Sequence, residues 1–123
     1  MNWPATGAAF LALAVILGAF GAHALRTRFD AYSMDVWEKA VFYHFIHALG
    51  LLIVGGLARA GSVPPSAANR VCWLLAAGIL IFSGSLYTLA ATGLRTLGAI
   101  TPIGGVAFIG AWLMLAFEMF RNQ

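Results

Sequence analysis

Charge is what this sequence has least of. Lys, Arg, Asp and Glu make up 9% of its 123 residues, seven basic against four acidic, where a soluble domain carries roughly 25%. With 62% hydrophobic residues and a mean hydropathy of +0.90, a water-facing surface would have almost nothing polar to show. Lipid is the solvent that suits such a chain. The basic residues are scattered and the net charge is only +3, so the patch or stripe required for nucleic-acid binding is missing. The single cysteine, Cys72, has no partner for an intrachain disulfide and reads as a small hydrophobe at the start of an apolar run. No Lys or Arg precedes the first apolar run. The n-region of a signal peptide is therefore absent, although Ala22-His23-Ala24 resembles a cleavage site, and an uncleaved helix is expected there.

What is present in quantity is long apolar runs. A hydrocarbon core about 30 Å thick takes roughly 20 apolar residues per helix, and four stretches qualify, at about 4–24, 40–58, 71–92 and 102–120. They predict an all-α integral membrane protein, a single-domain four-transmembrane-helix bundle over 1–123 with both termini on one side. Pro102 suits the first turn of the fourth helix, where its missing N–H costs nothing. Between the first two spans, Leu25 to Lys39 mixes six charged residues with Phe29, Tyr32, Met34, Val36 and Trp37. That mixture suits a short interfacial amphipathic segment with Trp37 at headgroup level, or else a solvated loop. One face of the membrane carries Arg59, Arg70 and Arg121, the other Arg26, Arg28, Lys39 and Arg95. Three against four is too even for the positive-inside rule to orient the chain. A short match of Ile16-Leu17 and Gly21 with Ile79-Leu80 and Gly84 is of a length that chance produces.

The polar residues inside these runs are few, and alternating helix direction places them together. His23 ends the first helix, Tyr43, His44 and His47 open the second, Ser83, Ser85 and Tyr87 fall late in the third, and Thr101 opens the fourth. All eight belong to the leaflet beneath the first and third loops, and they form the candidate polar pocket. Ionisable groups at membrane depth are costly and are functional candidates by default. Tyr43-His44-x-x-His47 sets two imidazoles on neighbouring positions of one helix face, and His23, His44 and His47 are weak candidates for a transition metal or a proton relay. The plainer expectation is that these side chains bond between helices. No Asp lies within the spans, and Glu118 stands at the exit of the fourth, so nothing completes a metal site or a Ser/His/Asp triad, and neither serine has a nucleophile-elbow setting. No catalytic residue and no cofactor is implied.

Four motifs in this order carry a resemblance: Gly18-Ala19-Phe20-Gly21-Ala22-His23-Ala24-Leu25, Tyr43-His44-x-x-His47-Ala48, Phe82-Ser83-Gly84-Ser85-Leu86-Tyr87 and Thr101-Pro102-Ile103-Gly104-Gly105. Together they resemble the YgdD-like family of small bacterial inner-membrane proteins of unknown function (domain of unknown function 423), related to the eukaryotic transmembrane protein 256. The resemblance implies a four-helix protein of the inner membrane and supplies no substrate. The expected role, in order of preference, is a non-enzymatic accessory or structural subunit of a membrane assembly or homo-oligomer, a small-ligand or proton-binding module at the polar pocket, and a haem or metal protein.

Overall fold

The computed structural model describes all residues, 1–123. It contains four long helices: α1 Trp3–Leu25, α2 Ala31–Arg59, α3 Pro65–Thr92 and α4, whose regular part is Thr101–Arg121 after a short 3-10 turn, Arg95–Ala99. Each is long and apolar enough to span a bilayer. Asn2 caps α1 by accepting the Ala5 N–H, with Pro4 in the first turn. Gly93, at φ 74°, ends α3 in the left-handed conformation that glycine adopts without steric cost. Two stretches are π-helical, Gly21–Leu25 at the end of α1 and Ile79–Ser83 within α3.

The helices start earlier than hydropathy alone indicates, for a local reason in each case. The Asp30 carboxylate accepts the Ser33 N–H at 2.7 Å, so α2 nucleates nine residues before its apolar run. The amphipathic segment between the first two spans is thus the opening of α2, laced by Lys39–Asp35 at 2.9 Å and by Arg26–Glu38 at 3.6 Å. At 29 residues, α2 is about 43 Å long and outreaches the hydrocarbon. α3 begins at Pro65, where the Pro64–Pro65 pair admits a helix only from that point.

α2 and α3 form the centre, α1 packs along α2, and α4 packs along α3. Burial follows that order: 44% of the apolar stretch is buried in α2 and α3, against 17% in α1 and α4. The core has two parts. One is aliphatic, around Leu51, Val54, Val71, Leu75 and Phe108. The other lies toward the first and third loops, around Leu25, Met34, Trp37, Leu89 and Ala90. At the end that carries the termini, Glu118 is buried, 2.7 Å from Arg121 and 3.9 Å from Arg70, tying the end of α4 to the start of α3.

Close backbone approach depends on glycine. A Cβ at Gly104 would stand 2.5 Å from the Phe82 amide nitrogen, whereas one at Gly110 would meet nothing within 4 Å. Backbone cannot step aside as a side chain can, so Gly104→Ala should lower stability by about 1–3 kcal/mol and Gly110→Ala by less than about 0.5 kcal/mol, read from reversible unfolding in mixed detergent. The Ser33 N–H, accepted by the Asp30 carboxylate, holds that carboxyl below its ordinary 3.8. A depressed carboxyl stabilises the folded state above its unfolded value and loses that contribution as pH falls through its folded value. NMR titration should place the Asp30 midpoint under 3.8, with the first turn of α2 fraying below it, and Asp30→Asn should remove that fraying step.

Candidate functional site

The polar level is built by α2 and α3, with one residue from α4. From Lys39 to His44 a helix rises about 7.5 Å, so His44 lies beneath Lys39, the last charge before the apolar run of α2. Its Nδ1 stands 2.9 Å from the Tyr87 hydroxyl on α3. One turn toward the first loop, the Ser83 hydroxyl donates to the Ala40 carbonyl at 2.8 Å. Both bonds cross the α2–α3 contact, and His44 and Ser83 are buried.

Ser85 serves the neighbouring contact. Its hydroxyl is 2.6 Å from Thr101 Oγ1 and 2.9 Å from the Phe82 carbonyl. A carbonyl only accepts, so the economical pattern has Thr101 donating to Ser85 and Ser85 donating to Phe82. That chain fastens the first turn of α4 to α3 beside the π-helical stretch.

His47 is occupied differently. Its Nδ1–H donates to the Tyr43 carbonyl at 2.7 Å, and its ring lies flat on Phe108 with centroids 3.4 Å apart and planes at 9°. The Tyr43 ring, partly exposed, packs on Phe82 at 4.5 Å. His23 stands apart, exposed in the last turn of α1 with no hydrogen bond to the others. The structure therefore brings His44 to Tyr87, Ser85 to Thr101 and His47 to Tyr43, and leaves His23 outside. His23, His44 and His47 do not converge, and no three His, Cys, Asp or Glu side chains are grouped to hold a metal ion.

Two participants are not evident from the polar residues of the spans. The Trp37 indole N–H donates to the Leu17 carbonyl on α1 at 3.0 Å, and its ring meets Tyr87 at 4.7 Å. A π-helical turn disturbs the regular carbonyl ladder, and Leu17 lies four residues before Gly21, where that turn begins. Gly21 is the available signal, since a Cβ there would stand 2.5 Å from Trp37 Nε1. The second participant is Arg95, which lies over the Tyr32 ring at 4.3 Å and joins the first loop region to the third. Of the buried side-chain polar atoms, His44 Nε2 alone lacks a hydrogen-bond partner.

Comparison with known proteins places this arrangement in a family. The profile described as "Protein of unknown function (DUF423)" matches residues 17–105, which hold every candidate residue of the pocket. A UPF0382 membrane protein of Staphylococcus saprophyticus is 50% identical over 115 residues, covering 94% of this chain and 93% of its own. The UPF0382 membrane protein YwdK of Bacillus subtilis is 50% identical over 113 residues, covering 89% of this chain and 88% of its own. A UPF0382 membrane protein of Staphylococcus aureus is 46% identical over 115 residues, covering 94% and 92%. No solved structure matches the chain. Four candidate spans and membrane-protein relatives from Gram-positive bacteria are consistent with the plasma membrane.

The bonds across α2, α3 and α4 should behave as modest fasteners. Interhelical hydrogen bonds in membranes average about 0.6 kcal/mol, with a maximum near 1.7 kcal/mol. A double-mutant cycle of Ser85→Ala with Thr101→Val, read from unfolding in mixed detergent, should give a coupling energy in that range. Ser83→Ala combined with Thr101→Val should be nearly additive, because those two side chains share no hydrogen bond.

Proposed function

The chain belongs to the DUF423 family of membrane proteins, and on that footing we propose that it is a non-enzymatic accessory or structural subunit of a larger membrane assembly. The observation that supports this reading is how its intramembrane polar groups are used. Ser83, Ser85, Thr101, Tyr87, His47 and Trp37 are all engaged in bonds that join or shape helices. Catalysis needs a nucleophile or base held within reach of a reacting group. Here the hydroxyls and imidazoles hold the bundle together instead.

The outer helices fit the same role. α1 packs mainly along α2 and α4 mainly along α3, and both leave most of their apolar surface outward, including Ile103, Val106, Leu113, Phe117 and Phe120 on α4. Such a face is at home against acyl chains or against another membrane chain.

A binding role at the polar level is the second reading, and a single observation favours it: the unpartnered nitrogen of His44. A haem or metal role draws no comparable support. The two intramembrane imidazoles are engaged by different groups, His44 by Tyr87 and His47 by the Tyr43 carbonyl and Phe108.

Extraction of native membranes into polymer-bounded lipid discs, followed by mass measurement, tests the accessory role. The expected species is a defined complex or homo-oligomer well above the 13.0 kDa of one chain. Recovery of a solitary chain at native expression level would overturn it.

A further inference from the structure

At the end of the bundle that carries the termini, α1, α2 and α3 meet around a pocket of about 300 Å³. Trp3, Gly55 and Ala68 are its buried lining, and Asn2, Arg59 and Asn69 supply its polar side chains, all three exposed. The hydrogen bonds already made there decide what is left over. An indole N–H and a guanidinium can only donate. The amide oxygens must therefore be the atoms that face them, Asn69 Oδ1 to Trp3 and Asn2 Oδ1 to Arg59, each at 2.9 Å. Asn2 Oδ1 accepts the Ala5 N–H as well. Both amide NH2 groups are left without a partner on the chain. The guanidinium gives one N–H to Asn2 and keeps the rest of its fork free.

No carboxylate lines the pocket. Glu118, the one acidic side chain at this end, is held by Arg70 and Arg121, and Arg59 forms no ion pair. The free side-chain groups are thus donors, and one of them carries a full positive charge. A compact anion rich in acceptor oxygens matches that set, and the planar fork of arginine beside amide N–H groups suits a phosphate. Because the three side chains are exposed, no helix has to move to offer them.

Depth points to the source of the phosphate. The apolar run of α1 begins at Pro4 and that of α2 ends at Ala58, just before Arg59, so the pocket lies at headgroup level. We propose that it binds the phosphodiester of an anionic phospholipid, of the phosphatidylglycerol class, with the acyl chains remaining in the surrounding bilayer. Lipid phosphates are already concentrated at that level, whereas a soluble phosphate has to be gathered from water. A zwitterionic headgroup would bring an ammonium beside Arg59 with no carboxylate in the pocket to receive it. The face as a whole has the same sign, with Arg59, Arg70 and Arg121 against Glu118. The inference goes beyond the accessory role and rests on none of its observations.

The Trp3 indole, bonded to Asn69 within the pocket, is the reporter for the test. Protein labelled with 15N at tryptophan is placed in phosphatidylcholine nanodiscs containing increasing fractions of phosphatidylglycerol. The expected result is a saturable shift of the Trp3 indole resonance with that of Trp37, toward the opposite face, unmoved. Arg59→Gln, a change at an exposed position, should weaken the response by roughly tenfold or more, the worth of a charge-assisted hydrogen bond. Asn69→Asp keeps an oxygen for Trp3 but sets a negative charge where the free NH2 stood, and should abolish it. Arg28→Gln, at the other end of the bundle, should leave it unchanged. No saturable Trp3 shift, or a shift undiminished in either pocket variant, overturns the proposal. An equal shift with phosphatidylethanolamine overturns the anionic class. The same shift produced by water-soluble glycerol phosphate in pure phosphatidylcholine discs overturns the lipid assignment and identifies a soluble phosphate as the source.

Discussion

In hydrocarbon a hydroxyl or an imidazole has no water to turn to, and the arrangement of this bundle follows from that constraint. Each polar side chain within the spans must find an acceptor or donor on the chain itself. The chain meets the demand mostly with carbonyls: Ala40 for Ser83, Phe82 for Ser85, Tyr43 for His47 and Leu17 for Trp37. Three of these bonds, with the side-chain pairs His44–Tyr87 and Ser85–Thr101, lie near π-helical turns or the start of α4. Irregular backbone and polar side chains thus occur together, each supplying what the other lacks.

The opposite half is held by shape. Interhelical attraction in lipid rests on close packing, not on expulsion of water. Gly7 faces the Leu52 amide, Gly50 faces Trp112, and Gly78 admits the Phe108 ring. Leu51, Val54, Val71 and Leu75 fill the space that remains. Aromatic rings set against absent side chains do in this half what hydrogen bonds do in the other. The seam at Gly104 and Phe82 joins the two regimes.

The spans were legible because an apolar run of some 20 residues has one strong meaning, and the side-by-side level of the polar residues followed from counting along antiparallel helices. The pairings within that level were not. His44 and His47 are three residues apart, which leaves about 60° between them around the helix axis. That angle suffices to send one to Tyr87 on α3 and the other to Phe108 on α4. Trp37 reads as a headgroup anchor by composition, yet its indole reaches a carbonyl twenty residues upstream, because Gly21 leaves room for it. The early start of α2 depended on one carboxylate, Asp30, at a position that composition treats as loop. Gly21 and Gly84, matched in a weak internal similarity, each border a π-helical turn, a property no hydropathy pattern encodes.

The N-terminal end of α1 carries a consequence for assembly. Trp3 donates its indole N–H to Asn69 at 2.9 Å and meets Trp73 edge-on at 5.0 Å. Both partners belong to the third span, synthesised more than sixty residues later. Until that span enters the bilayer, the first helix is held at its starting end by the second alone, through the Arg59–Asn2 bond at 2.9 Å and the packing of Trp3 and Pro4 on Gly55. The earliest residues of the protein are thus among the last to reach their final neighbours, and the α1–α2 hairpin must wait in the membrane, half-fastened, for α3 to arrive.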